Sequence, residues 1–299
     1  MEKTFAIALA AALAVPQNDL EGLSVNSINR ESSLAYGGDW RLEWADEFDG
    51  HEVNPAVWTF EEGWVRNDEL QYYTVGRGEN ARIEDGKLVI TARKEKWPNR
   101  FYSPSAPTND FKKGRAEASY TSASLHSRGK FEFRYGKLEV RAKIPEGLGT
   151  WPAIWMCGSG MRWPKCGEID VMEAVGYRPG LVFATTHWSD KDTGEHVKNC
   201  GKIKGTPSDG FHIYAVEWDE NKIDYFYDGQ KYHTQDISNL TDKDGFNPFR
   251  RPYFLRLNLA FGGRWGGRMG VGDLADYVGR HDTERVVCPL CGVIQVCFA

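Results

Sequence analysis

The sequence predicts an all-β protein built as a sandwich of two packed antiparallel sheets, one of them curved around a groove. From Trp40 onward, short strand-like runs alternate with Gly, Pro, Asn and Asp. No long stretch keeps a helical period, and no repeat of roughly 20–50 residues occurs. Many short strands at near-regular spacing favour a single sandwich domain over residues 38–299.

Composition narrows the classes of function. The chain has 299 residues, a formal net charge of −5 and no basic run, which argues against nucleic acid as a partner. Its eleven Trp exceed what a core needs, since Trp is rarely fully buried. Flat aromatic faces in a groove suit the apolar faces of sugar rings. Packing between the two sheets is the alternative use for these side chains.

The N-terminus is typical of a secretory signal over residues 1–14. Lys3 gives a positive start, Phe5 to Leu13 is apolar, and Ala12-Leu13-Ala14 fits a small-x-small cleavage site. The apolar run is too short to span a bilayer, so we expect an exported protein that is not held in a membrane. Residues 15–37 are polar and lack periodicity, which predicts a linker or a disordered mature N-terminus.

The strand-like runs can be placed in order along the chain. Asp85-Gly86 and Asp228-Gly229 each lie between two such runs, which predicts tight hairpin turns. The clearest predicted strands are Leu42–Phe48, Lys87–Ala92, Lys130–Tyr135, Lys137–Ile144, Phe183–Trp188, Phe211–Trp218, Lys222–Tyr227 and Tyr253–Leu259.

The acidic run GEIDVME, Gly167–Glu173, is the strongest candidate for chemistry. As a strand it places Glu168 and Asp170 on one face, because side chains alternate with a period of two. A one-residue bulge at Val171-Met172 would bring Glu173 to that face as well. Two Glu side chains would then lie about 5–6 Å apart, as in a retaining glycosidase. An ordinary strand with a solvated acidic face fits the spacing equally well.

Six cysteines are compatible with disulfides in an exported protein. Cys157 and Cys166 bracket the loop that leads into the acidic run, so a bridge there would fix the start of that strand. Cys288-Pro-Leu-Cys291 has no matching second pair for a structural zinc site. We therefore interpret these two as structural cysteines or free thiols.

Several motifs together resemble glycoside hydrolase family 16, in particular its laminarinase branch, the endo-1,3-β-glucanases. The resemblance spans residues 40 to 267 in the family's order. The matching runs are WADEFD (Trp44–Asp49), NDELQYYT (Asn67–Thr74), ENA (Glu79–Ala81), YTSA (Tyr120–Ala123), GKF (Gly129–Phe131), Tyr135-Gly136, GTWPAIW (Gly149–Trp155), the acidic run, Leu257-Asn-Leu259 and Gly262-Gly263.

The resemblance implies a concanavalin-like β-jelly-roll with a long substrate cleft on its concave sheet. It implies that Glu168 is the nucleophile, that Glu173 is the general acid, and that Asp170 hydrogen-bonds to its catalytic neighbours. The reaction would proceed with retention of anomeric configuration and without a cofactor. A β-glucan polysaccharide would be the partner, and we expect a monomer.

The resemblance also suggests which side chains line the sugar subsites. Trp151 and Trp155 lie four residues apart on one face of a strand, although spacing alone would equally suit two core tryptophans. His187 matches a cleft histidine of the family, although a lone His in a strand is more often structural. The candidate substrate-binding residues are Trp64, Asn67, Glu69, Trp151, Trp155, Trp163 and His187.

Two departures from the family pattern stand out. Ser124 occupies a position where many relatives carry an Arg that touches substrate, and Arg128 lies nearby in sequence. Residues 270–299 read unlike the family's usual ending, so we expect a divergent or frame-shifted C-terminus. Many relatives bind one structural calcium ion, for which the resemblance suggests oxygen ligands near Glu47, Gly86 and Asp276.

Alternatives remain on the same fold. The substrate could be a mixed-linkage 1,3-1,4-β-glucan or a galactan, because loops decide that choice. A non-catalytic β-glucan-binding protein would be expected to lack one or both glutamates, yet Glu168, Asp170 and Glu173 are all present.

Overall fold

Strands make up nearly all of the regular structure in the computed structural model, which describes residues 40–267, 285–291 and 293–298. In chain order the strands are β1 Arg41–Asp46, β2 Thr59–Phe60, β3 Gln71–Tyr73, β4 Ala81–Ile83, β5 Leu88–Pro98, β6 Glu117–Ser122, β7 Ser124–His126, β8 Glu132–Phe133, β9 Gly136–Ala142, β10 Thr150–Gly158, β11 Glu168–Glu173, β12 Leu181–Ser189, β13 His196–Lys204, β14 His212–Trp218, β15 Lys222–Tyr227, β16 Gln230–Asp236, β17 Tyr253–Phe261, β18 Arg285–Cys291 and β19 Val293–Phe298.

The strands form three sheets within the described residues. The front sheet has the order β13-β12-β11-β10-β17-β7-β2, with β8 beside β17, and the back sheet has the order β1-β19-β9-β14-β15-β16. A smaller sheet, β18-β5-β6-β3 with β4 beside β5, completes the jelly-roll sandwich. The all-β, jelly-roll prediction is confirmed.

Alternating side chains create both the core and the site. In β10 and β11, Ile154, Met156 and Ile169 are fully buried in one apolar core with Leu138 and Val140 of β9. Because strand side chains alternate between faces, the residues between them are carried to the opposite face of the front sheet. The same packing that holds the sandwich together therefore presents Trp155, Glu168 and Asp170 away from the core.

The two predicted hairpin turns are confirmed. Asp85 and Gly86 have φ values of 50° and 66°, and Asp228 and Gly229 have 47° and 76°. Positive φ at both central residues is the geometry of a type I′ turn, which Asp-Gly favours because neither residue is strongly penalised there. The turns join β4 to β5 and β15 to β16.

The C-terminal strands pair inside the fold. β18 pairs with β5, and β19 lies between β1 and β9 in the back sheet. The divergent ending therefore supplies two strands, and Ile294 and Val296 are buried in the main core. The predicted signal segment and linker lie outside the described residues, as does Asp276.

Helices are few and short in the part of the chain that the structure describes. A 3-10 helix covers Pro248–Arg250 and an α-helix, α1, covers Gly263–Gly266. Within the described ranges, none of the helices has the length and hydrophobicity that crossing a membrane requires. The described residues from Trp40 onward belong to one compact unit.

Candidate active site

A bulge in β11 gathers three carboxylates. Ile154 of β10 pairs with Met172 and the next residue, Trp155, pairs with Asp170, so Val171 is an extra residue in β11. The same irregularity appears against β12, between Asp170 and Glu173. The predicted bulge is confirmed. It returns Glu173 to the face that carries Glu168 and Asp170, which strict alternation would not do.

The register of the front sheet decides which side chains adjoin these carboxylates. Glu168 lies opposite Cys157 on one side and His187 on the other, and Lys198 follows on β13. Glu173 lies opposite Ala153 and Phe183. Glu168 and Glu173 therefore have different cross-strand neighbours.

Glu173 is held by an indole. The Nε1–H of Trp151 donates to Glu173 Oε1 over 2.9 Å. The Trp151 ring meets Trp265 edge-on at 5.3 Å between centroids, and Trp265 in turn meets Phe183 at 5.2 Å. Trp151 therefore orients the carboxyl that the resemblance assigns as general acid, and Trp265 fixes Trp151.

Glu168 and Asp170 share a histidine. His187 Nε2 lies 3.2 Å from Asp170 Oδ2 and 3.8 Å from Glu168 Oε1. Its other nitrogen, Nδ1, lies 2.8 Å from His196 Nε2, and the planes of the two rings are 12° from parallel. Trp163, which is 51% exposed, lies 4.7 Å from the His196 ring and 6.3 Å from the His187 ring. The structure thus brings His187 to the carboxylates and Trp163 to the rim beside it.

Burial raises the pKa of all three carboxyls. Burial and the neighbouring Asp170 raise the pKa of Glu168 well above its usual range, against the charges of His187 and Arg66. Burial and Glu173 likewise raise the pKa of Asp170 well above its usual range, against a hydrogen bond with Glu168. Burial raises the pKa of Glu173, while the Trp151 hydrogen bond opposes that rise. Closely spaced buried carboxyls resist ionising together, which suits a site in which one is an acid and another a nucleophile.

Trp155 lies in a charged setting that the sequence did not reveal. It is 8% exposed, and the guanidinium groups of Arg66 and Arg256 lie 5.1 and 4.8 Å from its ring. Glu61 pairs with both arginines and accepts a 2.6 Å hydrogen bond from Ser124 Oγ. Burial opposes ionisation of Glu61, yet the two arginines and Ser124 lower its pKa to about 2. Ser124 therefore supports the carboxylate that holds the two arginines.

A hydrogen-bond relay connects Trp155 to the loop after β2. Trp155 Nε1 donates to Asn258 Oδ1 over 2.7 Å, and Asn258 Nδ2 donates to Tyr73 Oη over 3.2 Å. Tyr73 Oη donates to Glu69 Oε2 over 3.1 Å, and Asn67 Nδ2 donates to Glu69 Oε1 over 3.3 Å. Glu69 is 2% exposed, so it orders this loop and positions Asn67, which is exposed.

Trp64 is not brought to the carboxylates. It is 3% exposed and packs with Tyr72 and Ala118 in a separate apolar cluster. Its Nε1 donates to the carbonyl of Leu70 over 3.2 Å. The structure therefore places Trp64 beneath the loop that carries Asn67.

The cysteines beside the site are free thiols. Cys157 and Cys166 are both buried and unbridged, and a hydrogen bond joins the two thiols. Cys157 Sγ also lies 3.8 Å from Glu168 Oε2. The loop before β11 is therefore closed by a thiol contact and not by a disulfide.

Two of the three calcium candidates, Glu47 and Gly86, lie on segments next to β1 and β5. β18 ends at Cys291 opposite Leu88, and Asp46 pairs with Ile294 at the start of β19. Both segments that carry the candidates, Glu47 and Gly86, therefore reach the β18–β19 junction. A carboxylate and a main-chain carbonyl are donors of the class that Ca²⁺ prefers. The third candidate, Asp276, lies outside the described residues.

Sequence reasoning missed several groups around the carboxylates. Arg66 and Arg256 lie far apart in sequence and meet only through the sheet register, and Trp265 follows a Gly-Gly turn without a strand pattern. His196 lies on β13, which no hydrophobic alternation marked. Trp265 could have been found from its position, because it lies just after the Gly262-Gly263 run that matches the family.

Comparison with known proteins shows the family to which the chain belongs. Residues 68–279 match the model of glycosyl hydrolases family 16. A β-glucanase of Rhodothermus marinus is 40% identical over 246 residues, covering 78% of this chain and 79% of that protein.

Two solved structures extend the comparison. A structure from work on the endo-acting O-glycanases with which human gut bacteria initiate mucin breakdown has a TM-score of 0.78. It is 35% identical and covers 87% of this chain and 91% of its own. The laminarinase of Rhodothermus marinus, also 35% identical, has a TM-score of 0.69 over 87% of this chain and 97% of its own. With three carboxylates gathered on the front sheet, the chain belongs to glycosyl hydrolases family 16.

Proposed function

We propose that the protein is an endo-acting β-1,3-glucanase that hydrolyses laminarin-type glucans with retention of anomeric configuration. The observation that carries the proposal is the β11 bulge, which sets Glu168, Asp170 and Glu173 on one face with an indole donor on Glu173. The similarity to a β-glucanase and a laminarinase supports the choice of a β-glucan.

In the proposed mechanism, Glu168 and Glu173 each act once in each of the two half-reactions. Ionised Glu168 attacks the anomeric carbon while protonated Glu173 gives its proton to the departing glycosidic oxygen. Glu173, now ionised, takes a proton from water, and that water displaces Glu168 from the anomeric carbon. Two inversions give net retention. Asp170 acts through its hydrogen bond with Glu168, which holds the nucleophile in place between the two steps.

The positively charged groups assist the nucleophile. Glu168 must be ionised to attack, although burial raises its pKa, and the charges of His187 and Arg66 oppose that rise. His187 contacts both Glu168 and Asp170 from one side. We assign His187, Trp163 and Asn67 to sugar contacts, and Trp151 to both a sugar contact and the orientation of Glu173.

A second candidate substrate is a glycan of the O-glycanase class. The structure from the mucin study has the higher of the two TM-scores, 0.78. Trp155, which is buried and flanked by two arginines, also differs from an exposed aromatic ring on which a sugar could stack. We keep β-1,3-glucan as the leading proposal because the β-glucanase relative has the higher identity, 40%.

Reducing-sugar release from laminarin, curdlan, lichenan, agarose and a mucin O-glycan would test the proposal. Glu168→Gln is the inactive control, and circular dichroism verifies its fold. We expect strong release from laminarin that this variant abolishes. Release only from lichenan, agarose or mucin would overturn the substrate and keep the mechanism. Binding without release from any of them would favour a glucan-binding protein.

Export, a monomeric state and a structural calcium ion complete the proposal. Support for export comes from the signal-like residues 1–14. N-terminal sequencing of protein from a culture supernatant tests it, and we expect the mature chain to begin at residue 15. Light scattering behind size exclusion tests the monomer, for which we expect a mass near that of one chain.

A further inference from the structure

Glu168, Asp170 and His187 have the spacing of a metal-binding set. One ligand atom from each lies within 4.8 Å of the others, and His187 Nε2 is 3.2 Å from Asp170 Oδ2 and 3.8 Å from Glu168 Oε1. Nitrogen and oxygen ligands bind Zn²⁺ at about 2.0–2.1 Å in a tetrahedron, so two ligands lie about 3.3 Å apart. The His187–Asp170 separation already has this value, and Glu168 Oε1 would move toward His187 Nε2 by about 0.5 Å.

Asp170 offers an oxygen that lacks a hydrogen bond. Its Oδ2 is buried without a hydrogen-bond partner, and the residue is 3% exposed. A buried polar atom without a partner is destabilising and calls for an explanation. A cation bound between this oxygen, Glu168 and His187 would remove that cost.

His196 prepares His187 to be a ligand. For Nε2 to bind a metal, Nδ1 must carry the ring proton and donate it to an acceptor. His196 Nε2, 2.8 Å away, is that acceptor. The two rings lie edge to edge with their planes 12° from parallel, and this contact fixes the orientation of His187. Supporting hydrogen bonds of this kind select the tautomer and raise the affinity of metal sites.

We propose that Glu168, Asp170 and His187 bind one divalent transition metal of the zinc class, and that His196 positions His187 for it. Three protein ligands with a further position left for water are typical of open zinc sites. Ca²⁺ and Mg²⁺ do not suit the set, since they require six or more oxygen ligands or a hydrated octahedron. The bound ion would block Glu168, the proposed nucleophile, so it would inhibit hydrolysis competitively with the glycan.

His212 is a natural control in the same chain. It also lies between two aspartates, with Nε2 2.9 Å from Asp209 and Nδ1 2.7 Å from Asp228. The two contacts use opposite nitrogens of one ring. They cannot converge on one ion, and His212→Gln must leave zinc binding unchanged.

Calorimetric titration of tag-free protein with ZnCl₂ tests the site directly. We expect His187→Gln to remove one equivalent of bound zinc and His196→Ala to weaken that equivalent by about 10- to 100-fold. MgCl₂ should give no corresponding heat. Unfolding midpoints of each variant without metal confirm that the fold is intact, and zinc should raise the midpoint of the native protein more than that of His187→Gln.

A kinetic measurement separates this site from any other zinc site. Zinc should raise the KM for the glycan hydrolysed by the native enzyme and leave kcat unchanged, and His212→Gln should behave identically. Zinc stoichiometry that is equal in the native protein and His187→Gln would overturn the proposal. So would the absence of zinc binding to the native protein at millimolar concentration.

Discussion

Replacing Trp151 with Phe removes one hydrogen bond from Glu173 and leaves an aromatic ring against Trp265. A hydrogen bond to a charged group contributes about 1.5–3 kcal/mol, and one to a neutral group about 0.5–1.5 kcal/mol. The indole therefore favours ionised over protonated Glu173 by about 1–1.5 kcal/mol. Since about 1.4 kcal/mol is tenfold in rate, we expect kcat to fall about fivefold to tenfold if the step that needs ionised Glu173 limits turnover.

The pH profile should change in a defined direction. The Trp151 hydrogen bond lowers the pKa of Glu173 against the effect of burial, so its loss raises that pKa. Because the general acid must be protonated in the free enzyme, the alkaline limb of kcat/KM should move to higher pH in Trp151→Phe.

Trp155→Phe is the matched control for this prediction. It lies four residues away on β10 and also loses one indole hydrogen bond, but its acceptor is Asn258 and not a carboxyl. Initial rates on laminarin across pH 4–9 would compare the two variants with the native enzyme. An alkaline limb that stays in place in Trp151→Phe, or moves equally in Trp155→Phe, would refute the role assigned to Trp151.

Three further predictions follow from charge and burial. Glu168→Gln should abolish hydrolysis yet raise the unfolding midpoint at pH 7 by about 2–4 °C. The raised pKa of Glu168 means that its ionisation costs stability above the ordinary pKa, so the gain should vanish toward pH 4. Glu61→Gln should destabilise by about 3–5 kcal/mol in urea, because it leaves Arg66 and Arg256 without their buried partner; an unchanged urea midpoint would contradict this. Native Glu61, whose pKa is lowered to about 2, contributes stability above pH 4.5 that is lost as pH falls toward 2. Removal of calcium with EGTA should lower the unfolding midpoint by several degrees, because free calcium at 100 times its Kd stabilises the fold by about 2.7 kcal/mol. An unchanged midpoint would argue against the ion near Glu47.

The acidic strand and its bulge could be predicted because their pattern is local. Glu168, Asp170 and Glu173 lie within six residues, and one bulge is the simplest way to bring all three to one face. The Asp-Gly turns were predictable for the same reason, since their φ values depend on two adjacent residues. Local rules therefore account for the strand and the turns around it.

The surroundings of the carboxylates could not be predicted from local pattern. Trp155 adjoins Arg256 because β10 pairs with β17, and Arg66 reaches the same ring from the loop before β3. Such contacts depend on strand register over long separations in sequence. A one-residue change in register would carry Arg256 to the opposite face.

Strand β13 was missed for a different reason. It is an edge strand whose apolar residues, Val197 and Ile203, are too widely spaced to give an alternating pattern. Lysines on its other positions are typical of exposed edges. Gly201 interrupts the pattern further, yet a Cβ there would lie 2.3 Å from the His233 ring. The site histidine His196 begins this strand and was missed with it.

Proton NMR of the first product released from laminarin tests the central claim most directly. If Glu168 attacks the anomeric carbon and Glu173 activates water in its place, the new reducing end appears first as the β-anomer. The α-anomer should then grow only at the rate of mutarotation. An initial α-anomer would contradict the double displacement, and with it the roles assigned to both glutamates.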